Sequence, residues 1–424
     1  MNTLQRIIVF PVLASILLSA CTTGSGTTQE AQSLRSREKK PSVSAGDYQT
    51  LVNGNNTFAL DLYQTLNTQE GNLFYSPFSI SLALAMTYTG ARGETETQMA
   101  NTLHFGSQEQ VHPAFNALDL ALEKNAIVID KDQEPMQLDI ANSVWAEQTF
   151  TFLPDFLDTL AVNYGAGIYL SDFFNNPDPS RQEINSWVSE KTKDKINNLL
   201  PEGSVSPDTK MVLVNAIYFK GDWLTPFDPN NTYEGQFNLL DGSTTPASMM
   251  ADGFFIPFAV GDGYAIAEFP YAGGSAVMDV LLPDEGRFDE IESQLSNEIV
   301  QQMLANMSPA EVRVQLPKFT FESQFSLAGT LEQMGMDAAF DASRADFSGM
   351  TGKKDLYIGD VIHKAFVAVD EKGTEAAAAT AVIMETTAAR MVENTFIADR
   401  PFIFFIRDMQ SGQILFIGRV INPK

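Results

Sequence analysis

The chain has 424 residues, 44% of them apolar and 19% charged, with a formal net charge of −26. That length and composition fit a globular protein with a large core, built as one large domain or two to three ordinary ones. The acidity excludes nucleic acid, heparin-like polyanions and an electrostatic hold of the whole chain on anionic lipid.

The single cysteine, Cys21, leaves no intramolecular disulfide and no cysteine cluster for a metal. His104, His112 and His363 are far apart and form no HExxH or HxH pattern, so no zinc enzyme and no cofactor is expected. The N-terminus carries one positive charge, Arg6, then fourteen mostly apolar residues from Ile7 to Ala20. That is short for a membrane span and reads as a signal peptide over residues 1–20. Its end, Leu18-Ser19-Ala20-Cys21, resembles a bacterial lipobox, in which the Cys21 thiol takes a lipid; an ordinary signal peptide is the alternative. Thr22 replaces the aspartate that commonly retains lipoproteins at the inner membrane, so the expected location is the cell surface or outer membrane, by a lipid anchor. Residues 21–46, rich in Ser, Thr, Gly and charge, read as a flexible tether, with the folded part from about Asp47.

Beyond the tether, Phe58, Leu62 and Leu66 recur at helical spacing in "NNTFALDLYQTLN". In "SPFSISLALAMTYTGARG", Ser76 suits the N-cap, Pro77 the first turn and Gly90 the stop. The segment is apolar nearly all round, which predicts a buried helix. "ETETQMANTLHF" predicts a short helix, and "INSWVSEKTKDKINNLL" an amphipathic one ending at Pro201. "KMVLVNAIYFKGDW" is apolar on both alternating faces, as in a central strand covered on both sides. "AEVRVQLPKFTFES" alternates like a half-buried strand, and "SLAGTLEQMGM" predicts a helix. "RPFIFFIRDMQSGQILFIGRVINP" gives two apolar strands joined by a turn at Ser411-Gly412. Helices early, strands late and no repeat point to an α+β class with large sheets in one domain over 47–424.

No GxSxG elbow, phosphate loop or kinase set is present. Triad members can be scattered along a sequence, so a secreted hydrolase using His363 stays a third reading. A lone histidine inside the apolar "DVIHKAFVAVD" is more often a hydrogen-bonded core residue than a base. One stretch fits no ordinary element: "EKGTEAAAATAVIMETTAAR", Glu371 to Arg390, places four alanines among β-branched residues that favour strands.

Four segments, in order, resemble the serpins, the serine-protease-inhibitor superfamily: "NLFYSPFSISLALAMTYTGARGETETQM", "LVNAIYFKGDW", "VIHKAFVAVDEKGTEAAAAT" and "RPFIFFIRDMQSGQILFIGRVINP". The resemblance covers roughly residues 47–424. It implies large sheets, about eight to nine helices and an exposed reactive-centre loop at about 371–400. That loop is cut by a target protease and inserts into the main sheet. Its hinge would comprise Glu371, Gly373, Thr374, Glu375, Ala376, Ala377, Ala378, Ala379 and Thr380. Alternation as a strand puts Thr374, Ala376, Ala378, Thr380, Val382 and Met384 on one uncharged face. Glu375 and Glu385 fall on the other. Gly373 is expected to supply backbone freedom. Ser76, Ser79, Asn215 and His363 match the family's polar "shutter", and Trp223 its "breach" tryptophan.

In serpins the residue before the scissile bond is commonly the seventeenth, counting the glutamate matched by Glu371 as the first; the resemblance thus implies a cut between Thr387 and Ala388, which suits elastase-like or subtilisin-like enzymes. Arg390-Met391 is the rival and suits trypsin-like enzymes. The function implied is suicide-substrate inhibition of serine, and as a second class cysteine, endopeptidases by a monomer without enzymatic activity of its own. A non-inhibitory binding protein on the same fold is the alternative; the small, even-faced hinge speaks against it.

Overall fold

The computed structural model describes residues 29–125, 136–374 and 394–424. Among them are ten α-helices, one or two more than the resemblance implies. They are α1 (Ala45–Leu66), α2 (Pro77–Tyr88), α3 (Gly93–Leu103), α4 (Gln108–Asn125), α5 (Pro154–Tyr164), α6 (Pro177–Lys191), α7 (Phe288–Gln294), α8 (Asn297–Ala305), α9 (Ala328–Gln333) and α10 (Ser348–Thr351). The first sheet contains β1 (Gln29–Ala31), β3 (Gln137–Glu147), β4 (Ile168–Ser171), β5 (Met211–Asp222), β11 (Phe319–Ser326), β12 (Asp360–Val369) and β13 (Gly373–Thr374), in the order β1-β4-β3-β5-β13-β12-β11. The second contains β2 (Leu73–Tyr75), β6 (Tyr233–Asn238), β7 (Thr244–Gly261), β8 (Tyr264–Pro270), β9 (Ala276–Pro283), β10 (Ser308–Pro317), β14 (Asn394–Ile397), β15 (Phe402–Asp408) and β16 (Ile414–Val420). Its order is β14-β10-β7-β8-β9-β15-β16-β2, with β6 on β7. This is the expected α+β class.

The expected buried helix is α2. Ser76 caps it, its side chain accepting from the Ser79 N–H, and Pro77 opens the first turn. All twelve residues are buried because α2 lies between the sheets, against β3, β5 and β16. Gly90 does not act as a left-handed stop: the cap residue is the right-handed Thr89. Gly90 is needed because a Cβ there would lie 2.1 Å from Met350 Cγ.

β5 is central, as its two apolar faces predict. One face meets the main core under α2. The other is covered by α6, whose Ile184 and Val188 join Trp145, Val212 and Val214 in a second cluster. The seam between β5 and β12 changes character along its length. The two strands pair directly and in parallel from Val212–Asp360 to Tyr218–Phe366. Above that, they are separated by β13, which is antiparallel to both.

Three expectations change. The amphipathic helix does not run to Pro201; α6 ends at Lys191. The Thr192 hydroxyl donates to the Val188 carbonyl and accepts from the Ile196 N–H, and Lys193 and Asp194 turn left-handed, with φ of 52° and 62°. The alternating segment 310–323 is not one strand: β10 belongs to the second sheet and β11 to the first. Pro317 cannot extend a ladder, and the chain crosses between sheets at Lys318.

The described part of the expected tether is not free. β1 pairs antiparallel with β4, from Gln29–Leu170 to Ala31–Ile168. Arg37 donates to Asn116, Asp119 and Glu123 of α4, and the Glu38 N–H to the Val162 carbonyl of α5. Ser44 caps α1, which begins at Ala45. A composition rich in Ser and charge also suits capping and ion pairs, and the sequence holds no local sign of those distant partners. Cys21 and the remainder of the leader lie outside the described residues.

Candidate functional site

Two constellations sit along the β5–β12 seam. The lower one is polar. The register aligns Asn142 of β3, Asn215 of β5 and His363 of β12 in one row across the sheet. The capped start of α2 meets that row from beneath. The Ser76 N–H donates to His363 Nε2 at 3.1 Å, and Ser76 Oγ donates to the Leu415 carbonyl of β16 at 2.7 Å. Ser79 Oγ donates to Asn142 Oδ1 at 2.9 Å and accepts from Asn215 Nδ2 at 2.7 Å. Asn142 Nδ2 returns to the Ser79 carbonyl at 2.9 Å.

Because Nε2 of His363 accepts, its proton sits on Nδ1, which donates to Asn215 Oδ1. The ring is fully buried, and burial pushes its pKa from the ordinary 6.5 to about 3. A neutral, enclosed imidazole with both nitrogens engaged fastens β12 to β5 and α2; it cannot reach a substrate proton. Ser76, Ser79, Asn215 and His363 are thus brought together as the sequence implied. Asn142 completes the row without any sign in the sequence. It looks like an ordinary polar residue in "LDIANSVW", and only the register brings it there.

The upper constellation is apolar and steric. Trp223 follows β5 and is stacked on Tyr271, with centroids 4.7 Å apart and planes at 13°. Its N–H donates to the Lys372 carbonyl at 2.6 Å and its indole Nε1–H to the Asp370 carbonyl at 3.0 Å. The tryptophan therefore holds the chain where it turns out of β12 into the hinge. Glu371 is held at three points. Its carbonyl accepts from the Phe227 N–H, one carboxylate oxygen accepts from Thr232 Oγ1 at 2.8 Å, and the other from Lys318 Nζ at 2.8 Å. Partial burial raises the Glu371 pKa, but these donors outweigh it and hold the carboxyl below its ordinary range.

Gly373 and Thr374 are already seated between the strands, Gly373 beside Asp222 and Thr374 beside Gly221 and Val369. Thr374 is 1% exposed and shares a 2.7 Å hydrogen bond with the Tyr271 hydroxyl. Gly373 is required for a different reason from the one expected. Its backbone is not left-handed; a Cβ would stand 2.1 Å from the Gly221 carbonyl oxygen. The missing side chain lets Gly373 lie against the backbone of Gly221 and Asp222. Tyr271, Thr232 and Lys318 are not legible as site residues in the sequence, because each comes from an element far away along the chain.

The remaining hinge positions Glu375, Ala376, Ala377, Ala378, Ala379 and Thr380, and the candidate bonds Thr387–Ala388 and Arg390–Met391, lie outside the described residues. Beyond them the chain is held again, by the parallel pairing of β14 with β10.

Comparison with known proteins agrees with this arrangement. Residues 53–423 match the family model described as serpin (serine protease inhibitor). The human leukocyte elastase inhibitor is 40% identical over 384 residues, spanning 88% of this chain and 99% of that protein. The bovine protein of that name is 42% identical over 384 residues, spanning 87% and 98%. Among solved structures, uncleaved ovalbumin superposes with a TM-score of 0.80 at 30% identity, covering 88% of this chain and 100% of that one. The thermophilic serpin tengpin in its native state gives 0.80 at 30% identity, covering 93% and 100%. With a buried polar row below, a seated hinge above and a family match over nearly the whole folded chain, this protein belongs to the serpin family.

Proposed function

We propose that the chain is an irreversible suicide-substrate inhibitor of serine endopeptidases, elastase-like or subtilisin-like enzymes foremost. The observation that carries this reading is the slot between β5 and β12, with its upper end occupied by Gly373 and Thr374 and its lower end closed by a parallel pairing and the polar row beneath it. A strand entering antiparallel replaces one parallel ladder by two antiparallel ones, which are slightly more stable per residue. The target attacks the loop and forms an acyl-enzyme. The cut arm, from Gly373 to about Thr387, then inserts. At about 3.3 Å per residue it carries the tethered enzyme roughly 45 Å. Each added ladder bond contributes about 1 kcal/mol net. That gain deforms the enzyme's oxyanion hole, which deacylation needs. The chemistry is the target's; this chain supplies the unfilled sheet.

The preference for elastase-like targets rests on Thr387 as the residue before the scissile bond and on relatives named as elastase inhibitors. The location we propose is a bacterial cell surface or outer membrane, by lipid on Cys21, supported by the leader's Leu18-Ser19-Ala20-Cys21 pattern. The test is to mix the protein with elastase-, subtilisin- and trypsin-like enzymes and resolve the products on denaturing gels. A band at the summed mass, with a released fragment beginning at Ala388, is expected. A fragment beginning at Met391 moves the bait to Arg390. Clean cleavage with no covalent band and no gain in heat stability leaves the fold as a binding protein.

A further inference from the structure

The segment 29–44, a strap across the edge of the first sheet and the flanks of α4 and α5, is built to hold one apolar and three basic side chains outward. It is fixed at both ends of that span. β1 is paired to β4, and a Cβ at Gly167 would stand 2.6 Å from the Ala31 carbonyl, so the glycine lets the strand lie close. Arg37 is spent inward on Asn116, Asp119 and Glu123, and Asn116 in turn donates to the Glu38 carbonyl at 2.7 Å. Between these anchors the Ser33 hydroxyl donates to Asp158 and accepts from the Arg35 N–H at 2.9 Å. That turn thrusts Leu34 wholly into solvent, 107% exposed. Arg35, Lys39 and Lys40 of the same segment are exposed too. Arg35 has a loose contact with Asp158 at 3.6 Å; Lys39 and Lys40 have no ion pair among the described residues.

Four of the chain's 27 Lys and Arg lie in residues 35–40, against Glu30 and Glu38 in the whole strap, within a protein of net charge −26. A fully exposed leucine in a short segment that also exposes Arg35, Lys39 and Lys40 is chemically suited to a bilayer interface with anionic headgroups. We infer that the strap is the membrane-facing surface of the protein, seating Leu34 among acyl chains and Arg35, Lys39 and Lys40 on anionic lipid headgroups. The inference rests on the proposed lipidation of Cys21, since one leucine and three cations bind a bilayer only when held beside it. Gln29 lies eight positions after Cys21, a reach of at most about 29 Å fully extended. The acidity of the rest of the chain now orients it: the acidic faces are repelled, and the strap approaches. β1 and the β13 seam are four strand spacings apart in the sheet, about 19 Å.

The experiment uses the full chain, processed by a bacterial host and reconstituted in vesicles of phosphatidylglycerol or of phosphatidylcholine, each carrying nitroxide-labelled lipid. The mass of the N-terminal peptide is read first. A fluorophore is placed at Ser36→Cys and, separately, at Asp241→Cys in the β6–β7 turn. Quenching is expected at position 36, stronger on phosphatidylglycerol, and little at 241. Lys39→Gln and Lys40→Gln should each lower the docked-to-undocked ratio about five-fold, Leu34→Asp should lower it further, and Leu34→Trp should raise it. An unmodified Cys21 sinks the lipid anchor and this inference with it. With Cys21 acylated, quenching at 36 that equals that at 241, or that is the same on both lipids, overturns the inference alone.

Discussion

The two ends of the β5–β12 seam are closed by different means. Below, strand meets strand directly, and the side chains of Ser79, Asn142, Asn215 and His363, with the Ser76 N–H, form a polar network across the join. Above, the strands are already parted by Gly373 and Thr374, held mostly by shape: a stacked tryptophan and tyrosine, a glycine against backbone, one threonine hydroxyl and the hydrogen bonds of Trp223 to the Asp370 and Lys372 carbonyls. A buried polar network resists partial disruption, because each group left without a partner costs about 1–3 kcal/mol. A steric fit around small residues yields or fails according to what enters. On the proposed mechanism, the lower end is expected to set how hard the sheet is to open, and the upper end what may pass.

Breaking the upper end should have the largest effect on trapping. Thr374→Arg places a charge where the side chain is 1% exposed. Cleavage by the target should continue while the covalent band disappears, read as the ratio of complex to cleaved product on a denaturing gel. Undiminished complex would mean that Thr374 need not be buried for insertion.

Breaking the lower end should show in stability. Asn215→Ala removes the acceptor of His363 Nδ1–H and the donor to Ser79. We expect a loss of about 3 kcal/mol in urea unfolding of the native state, with Ser79→Ala costing less because it leaves the Asn215–His363 contact in place.

Acid sharpens the same contrast. His363 and His112 have folded pKa values of about 3 and about 4, both lowered from 6.5 by burial. The unfolded chain therefore takes up these protons first. Stability is fully present above pH 6.5 and falls as pH drops, by about 1.4 kcal/mol per unit per histidine, until each folded pKa is reached. His363→Gln should lose its share of that slope, measured as the difference in unfolding free energy between pH 7 and pH 5 for variant and parent. An unchanged slope would mean that the ring titrates in the fold as it does in the unfolded chain.

The smallest effect belongs to the outer anchor of the hinge. Lys318→Met removes an ion pair to Glu371 whose lysine side chain is 38% exposed, so less than about 1 kcal/mol is at stake. Faster hydrogen exchange at the Trp223 amide, which is bonded to the Lys372 carbonyl, would register it.

What can be read from the sequence is what local chemistry dictates. Ser76-Pro77 announces α2, and the doubly apolar run from Met211 announces β5. The shutter and breach positions come from motif resemblance, residue by residue. The residues that complete those sites are hidden because their meaning is a register or a crossing: Asn142 becomes special only beside Asn215, Tyr271 only beneath Trp223, and Lys318 only because the chain changes sheets there. The need for glycine at Gly373 is visible but its cause is not, since the closeness of Gly221 cannot be read from either glycine alone. The strap reads as a linker because ion pairs to α4 leave no periodicity in the segment that makes them.

The pairing of β14 with β10 adds a topological consequence. The chain between Thr374 and Asn394 is pinned at both ends, one end in each sheet. A segment so held behaves as a closed ring: each residue drawn into the slot shortens what remains to span the fixed distance to β14. Scission turns the ring into a rope with a loose end. The protease then performs the one operation that the inhibitor cannot carry out on itself, and the strand length that can enter is set by where the cut falls.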